Sequence, residues 1–308
     1  MKRILITGGT GFIGGNLARH FHAKGHDVTI LARSKAKMPQ IPEGIKFIEN
    51  DITKGMFEVT NYDWIYHCAS TVNDYNFLNG TDDDIQTNMI GTHNLLESIR
   101  KYNPWAKLIF VSTFFVYGDH DCLVYEYTPC EPKGIYGITK LAAENMCLVY
   151  QKTFDLDIRI VRMTNIYGVN QPTANQKTAA FNWMIQQCVN DKSISLYDNG
   201  VMKRDYLYID DAVHGLQKAA ENGTSGKTYL LGLGTSYSFK QMVDIMKFYS
   251  QGGTIRVVDS PGFHQRVGMK DFCIDNWLTR VELNWIPFVS IEDGIKRTVE
   301  FYEGLKNA

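Results

Sequence analysis

Several things are missing from this 308-residue sequence, and each absence removes a class of protein. There is no basic excess: 32 Lys and Arg stand against 33 Asp and Glu, a net charge of −1. The electrostatic footprint of a nucleic-acid binder is therefore lacking, and nucleic acid is not an expected partner. The six cysteines, at 68, 122, 130, 147, 188 and 273, never form a Cys-x-x-Cys pair. That speaks against a zinc site and a disulfide framework, so no metal is expected and the thiols are read as reduced and mostly buried. No apolar stretch approaches the roughly 20 residues that a membrane span needs, and the chain enters a strand at once without a charged-then-apolar leader. A soluble cytoplasmic protein with no membrane partner is the expectation. Internal repeats, low-complexity tracts and Pro-rich linkers are also lacking, which favours one or two lobes sharing an interface over a string of modules. With 44% hydrophobic and 21% charged residues, the composition is that of an ordinary globular chain.

What is present begins at residue 4. Ile4-Leu5-Ile6-Thr7 reads as a buried strand that breaks into Gly8-Gly9-Thr10-Gly11-Phe12-Ile13-Gly14. Gly9, Gly11 and Gly14 satisfy G-x-G-x-x-G, and Gly8, Gly11 and Gly14 give the wider G-x-x-G-x-x-G spacing. A tight turn, close approach of backbone to a pyrophosphate, and a helix packed hard on a strand all require glycine, and the helix from Phe12 aims free N–H groups at the phosphates. Glycine turns also occur for packing alone, but here an amphipathic helix (Phe12, Ile13, Leu17, Phe21) and a second strand follow, so a dinucleotide site is expected. Strand-like runs at 3–7, 28–32, 45–48, 64–68, 107–112 and 156–162 alternate with helical patterns at 12–24, 83–102 and 136–153. This predicts an α/β fold with a Rossmann-type doubly wound parallel sheet. After about residue 165 the regularity breaks down into short strands at 194–197, 204–209, 228–231 and 255–258 with shorter helices. Residues 1–165 are read as the dinucleotide-binding domain. Residues 166–308 are read mainly as a smaller substrate lobe, with segments that return to the sheet.

Tyr136 and Lys140 form a Tyr-x-x-x-Lys pair on one face of a helix. A nearby ammonium is what a phenol needs to act as a proton carrier at neutral pH, although the spacing alone is common on helices. Lys107 to Thr113 is an apolar strand ending in two hydroxyls, Ser112 and Thr113, at the edge where a parallel sheet presents its chemistry. A plain turn cap is the other reading of such hydroxyls.

Together with these pieces, the sequences 50–53 (Asn-Asp-Ile-Thr), 67–70 (His-Cys-Ala-Ser), 88–97, 112–118, 162–168 and 203–211 make the chain resemble an extended short-chain dehydrogenase/reductase of the nucleotide-sugar epimerase/dehydratase family over nearly its whole length. The resemblance implies a nucleoside-diphosphate sugar as substrate. Tyr136 would exchange a proton with a sugar hydroxyl, Lys140 would lower its pKa and hold the nicotinamide ribose, and Thr113 would hydrogen-bond the reacting oxygen. Gly8, Gly11, Phe12, Ile13, Gly14 and Arg33 would hold the cofactor, Asp51 and Ile52 would flank its adenine, and Asn88 would support it. Asn165, Arg204 and Arg266 would grip the diphosphate or the sugar, with ion pairs to Asp205 or Asp210 as the plainer role for Arg204. Tyr75, followed by Asn76 and Phe77, would shape the sugar pocket. Relatives dimerise through the helix bearing Tyr-x-x-x-Lys, which makes a homodimer or higher homo-oligomer the expectation; Leu141, Met146 and Leu148 supply apolar surface for it.

Two departures from the pattern matter. Members that dehydrate the sugar carry Asp-Glu after the Ser/Thr to act across C5–C6, whereas this chain has Phe114 and Phe115, which cannot transfer protons. The acid expected at the end of the second strand, which would accept from a ribose 2′-hydroxyl, is Ala32, followed by Arg33-Ser34-Lys35. That favours NADP(H), with NAD(H) and Arg33 stacked on adenine as the alternative. A 4-ketosugar reductase or dehydrogenase acting at ring carbon 4 and an NAD-dependent 4-epimerase both fit. A non-catalytic dinucleotide binder is a third reading, against which stands the complete Tyr, Lys and Thr set.

Overall fold

The computed structural model describes residues 1–34, 42–72, 81–120, 123–171, 179–260 and 271–307. Strand β1 (Arg3–Thr7) leads into α1 (Phe12–Ala23), β2 (Asp27–Ala32), β3 (Lys46–Glu49) and β4 (Trp64–His67). Helix α2 (Thr81–Asp84) runs through a π-helical segment, Ile85–Ile90, into α3 (Gly91–Tyr102), followed by β5 (Lys107–Thr113), α4 (Ile135–Phe154), β6 (Ile158–Met163) and β7 (Asn165–Tyr167). Then come α5 (Ala180–Val189), β8 (Ser193–Tyr197), β9 (Lys203–Tyr208), α6 (Ile209–Asn222), β10 (Thr228–Leu231), β11 (Ser236–Ser238), α7 (Phe239–Ser250), β12 (Thr254–Val258), α8 (Trp277–Leu283) and α9 (Ile291–Lys306). The helix expected over 83–102 is thus interrupted by a π segment, which carries Asn88. Periodicity does not separate 3.6 residues per turn from a slightly wider turn over six residues.

Seven strands form a parallel sheet in the order β10-β6-β5-β4-β1-β2-β3. Alternation along each strand feeds two cores, because successive side chains point to opposite faces. Ile4, Ile6, Val28, Ile30, Ile109, Val111, Val161 and Met163 pack with Leu17 and Phe21 of α1 and Ala212 and Leu216 of α6. Leu5, Leu31, Ile65, Leu108, Phe110, Ile158 and Ile160 pack with Leu95, Leu96 and Ile99 of α3 and Ala143 and Cys147 of α4. The result is the doubly wound α/β architecture, with the strand order reversing between β1 and β4, where such sheets open a crevice.

The remaining strands make a three-stranded sheet, β11-β9-β7, and a two-stranded one, β12-β8, while β10 returns to the edge of the main sheet beside β6. The core of α1 and α6 continues without a break into α5, α7 and α9. On α4, Leu141 packs beside Phe114, and Met146 and Leu148 pack towards the core shared with α3. The large apolar residues that α4 turns outward are Ile138, Val149 and, at its end, Phe154. Of the five described cysteines, Cys147 and Cys188 are buried and Cys68, Cys130 and Cys273 are half-buried, all as free thiols. Among the described residues no helix is long and apolar enough to cross a membrane, and no group of three or more His, Cys, Asp or Glu is placed to hold a metal ion.

Candidate active site

A cleft of ≈ 250 Å³ opens at the strand-order reversal, lined by the loops after β1, β2 and β4 and by Asn50 to Ile52. Gly8 sits at φ +68°, and a Cβ there would lie 2.6 Å from the Ala69 backbone nitrogen, so only glycine lets the β1 and β4 loops meet. At Gly14 a Cβ would fall 2.5 Å from the Gly8 carbonyl oxygen, which lets α1 seat directly on the loop. Gly11 caps α1 without a side chain of its own, and Phe12 and Ile13 begin the helix, half-buried against the main core. The helix N-terminus is therefore open to an anion in the cleft. Gly8, Gly11, Arg33, Asp51 and Ile52 line the cleft, while Thr87 takes the lining position nearest Asn88. Ala32 closes β2 with Arg33 and Ser34 beyond it. The Asp51 carboxylate accepts from the N–H and hydroxyl of Thr53. Burial works against its charge, but those hydrogen bonds and the nearby Arg33 and Lys54 hold it below the usual carboxylate range. A backbone-lined cradle with a cation at its rim fits a dinucleotide.

Behind the cleft runs a buried relay. Ala69 N–H donates to Thr7 Oγ1, which lies 2.6 Å from His67 Nδ1; His67 Nε2 lies 2.9 Å from Thr92 Oγ1, and Thr92 donates to the Asn88 carbonyl. Because the Thr92 proton is committed to Asn88, His67 carries its proton on Nε2 and accepts at Nδ1. Asn88 completes the relay through its amide, exchanging hydrogen bonds with the backbone of Thr71, accepting from Ser70 and donating to Thr139 of α4. The supporting residue thus ties the β4 loop to the helix that bears Tyr136 and Lys140.

Burial, reinforced by Lys140, pushes the His67 pKa down to about 3. The folded state then binds fewer protons than the unfolded state between about pH 6.5 and 3, so stability rises with pH across that window and is lost as the pH falls. A full shift of this size corresponds to roughly 5 kcal/mol near pH 3. Urea unfolding at stepped pH is expected to show His67→Gln with a shallower acid loss than the parent chain; parallel slopes would rule the histidine out as the source.

Thr113 ends β5 and accepts from Phe115 N–H at 3.3 Å, so it caps the turn that follows. Two residues on, Phe115 meets the Tyr136 ring edge-on at 5.8 Å, and Phe114 packs on Phe272. Lys140 is 2% exposed, donates to the Val111 carbonyl and lies 4.1 Å from the Phe110 ring centre. Burial lowers its pKa to about 8, with Glu144 the main opposing influence.

Thr113 registers with Met163 of β6, two residues before Asn165, which places Asn165 at the same sheet edge. The Asn165 amide donates to the Asp205 carbonyl, and Arg204 is buried, with a hydrogen bond to the Lys203 carbonyl. Asp205 accepts from the N–H groups of Leu233 and Gly234, and Asp210 pairs with Arg297 at 3.5 Å. Tyr75, Asn76, Phe77 and Arg266 lie outside the described residues. Sequence reasoning missed the Thr7–His67–Thr92 relay and the buried Ser112–Glu144–Arg162 cluster. The available signals were the position of Glu144 four residues after Lys140 and the polar Thr7 and His67 closing buried strands.

A doubly wound sheet with a glycine cradle at its reversal and a Tyr-x-x-x-Lys helix beside it defines the dinucleotide-dependent enzymes of extended short-chain dehydrogenase/reductase type. Residues 4–232 match the model of the NAD dependent epimerase/dehydratase family, and the chain belongs to that family. It is 28% identical to a UDP-glucuronic acid decarboxylase 1 of Xenopus tropicalis, over 98% of this chain and 72% of that protein. It is 26% identical to a dTDP-glucose 4,6-dehydratase of Haemophilus influenzae, over 98% of both. Among solved structures, a UDP-glucuronic acid 4-epimerase of Bacillus cereus, in complex with UDP-glucuronic acid and NAD, superposes with a TM-score of 0.85 at 25% identity, covering 98% of this chain and 99% of that one.

Proposed function

We propose that this enzyme moves a hydride at ring carbon 4 of a nucleoside-diphosphate sugar, as a 4-ketosugar reductase or the corresponding dehydrogenase. The reading is carried by the contacts that tie the Tyr136–Lys140 helix to the end of β5, where Phe115, capped by Thr113, meets the Tyr136 ring and Lys140 donates to the Val111 carbonyl, in a fold that holds a glycine-lined cradle. The dinucleotide, when bound, supplies or takes the hydride. Tyr136 gives or takes the proton at O4, Thr113 donates to the same oxygen, and the Lys140 ammonium stabilises the phenolate and orients the nicotinamide ribose. Asn165 and Arg204, with Tyr75 and Arg266, grip the diphosphate and sugar, and residues 166–308 supply most of that lobe.

Phe114 and Phe115 speak against the reaction of the relatives named 4,6-dehydratases, because two phenyl rings can neither take nor give the protons needed to eliminate water across C5–C6. The side chains at the end of β2 support NADP(H): Ala32 offers no carboxylate to repel a 2′-phosphate, and Arg33 and Ser34 line the cleft where it would sit. An NAD-retaining 4-epimerase is the second reading, favoured by the NAD-bound 4-epimerase neighbour. Purified protein, denatured and analysed by chromatography and absorbance, is expected to release NADP(H) or no nucleotide. Stoichiometric NAD or NADH would overturn the reductase reading in favour of the epimerase.

A further inference from the structure

Glu144 lies one helical turn beyond Lys140 on α4 and is 1% exposed. Arg162 holds it with a fork, Nη2 at 2.7 Å from Oε2 and Nε within 3.2 Å of both oxygens, and Ser112 donates its hydroxyl to Oε1. Ser112 and Arg162 are register partners on β5 and β6, one step before Thr113 and Met163. The carboxylate therefore clamps two neighbouring strands to the catalytic helix at the residue next to Thr113. Arg162 is itself held over the Tyr117 ring at 4.7 Å, which fixes the fork from below. A buried ion pair is costly to form and can be replaced by apolar packing, so stability alone is a weak reason for this one.

We infer that Glu144 is a positioning residue of this site: by clamping Ser112 and Arg162 it sets Thr113 against Tyr136 and Lys140, and it presents its charge to the Lys140 ammonium. The inference rests on the proposed roles of those three residues. Besides Tyr136 one turn before it, whose phenolate it is proposed to stabilise, the titratable groups that act on Lys140 among the described residues are Glu144 and Cys147 from α4 and His67 and Cys68 from the end of β4. The two cysteine thiols are pushed well up by burial, Cys68 to about 12, and His67 is neutral above pH 3, so near neutral pH Glu144 is the carboxylate in this set.

The test measures NADP(H) and NAD(H) affinity and nucleotide-sugar turnover from pH 6 to 10 for the parent chain, Glu144→Gln and Glu144→Asp. The parent chain is expected to lose activity and cofactor affinity above about pH 8 as Lys140 loses its proton. Glu144→Gln should move that limb down by about one to two pH units and lower kcat roughly 10–100-fold. Glu144→Asp, which keeps the charge but shortens the clamp, should lower kcat with the limb unmoved. A Gln variant that folds and keeps the parent limb overturns the inference. If the Gln variant does not fold, an Asp variant with parent kcat and cofactor affinity overturns it, and one with lowered kcat and an unmoved limb supports it. A parent chain that binds cofactor but turns over no nucleotide sugar would instead sink the proposed function, and the affinity limb would still decide the role of Glu144.

Discussion

Replacing Tyr136 by Phe is expected to lower nucleotide-sugar turnover by about 10²–10⁴-fold while leaving cofactor affinity within a few fold. In the proposed mechanism the phenol both gives and takes a proton at the sugar oxygen, and to do so near neutral pH it must lose about three units from a pKa near 10, or about 4 kcal/mol. One ammonium about 4 Å away at an effective dielectric of about 20 supplies an energy of that size, and Lys140 stands one turn along the same helix. Removing the hydroxyl leaves the ring, so the edge contact with Phe115 and the helix itself should survive. Steady-state kinetics with tritiated or fluorescent cofactor binding separates the two effects. Turnover within threefold of the parent chain would mean that the proton travels by another route.

The second large effect belongs to Gly14→Ala. A single methyl there falls 2.5 Å from the Gly8 carbonyl oxygen and 2.9 Å from the Gly9 Cα, and both are backbone atoms of the loop that forms the cradle. Nothing flexible can yield, so α1 must lift or the loop must open. Overpacking of this kind costs about 1–3 kcal/mol of stability. The larger consequence is for binding, because the N–H groups at the start of α1 then miss the pyrophosphate. Cofactor affinity is expected to fall by at least about 100-fold, equivalent to roughly 2.7 kcal/mol, by isothermal titration. Retained affinity together with the stability loss would show that the cradle does not hold the phosphates.

Much of this architecture is legible along the chain. The glycine turn, the strand and helix order and the Tyr-x-x-x-Lys face are written in short-range spacing, and ten of the observed strands fall within two residues of those expected from periodicity, whereas the short β7 and β11 have no expected counterpart. The expected helix over 83–102 misses the π segment at Ile85–Ile90, although that local widening belongs to the stretch in which Asn88 reaches both Thr71 and Thr139. The apolar residues Leu141, Met146 and Leu148 read as surface for a partner with some of them turned to the sheet, and all three pack inward to some degree, because a long helix against a sheet uses more than one stripe.

By itself the sequence determined the class of fold, the family, the dinucleotide cradle and the three residues of the proposed chemistry, since each rests on residue type at fixed local spacing. Only the tertiary structure decided what surrounds them. His67 finds Thr7 across 60 residues of chain, Glu144 finds Ser112 across 32 and Arg162 across 18, and Asn165 reaches Asp205 across 40. Nothing in local periodicity reports such pairings, because they form when parallel strands bring distant residues into register. The same burial decides the charge behaviour of the site. It drives His67 neutral, with help from the Lys140 ammonium, and brings Lys140 down to about 8 against the opposing carboxylate of Glu144, shifts that come from removing water rather than from residue type.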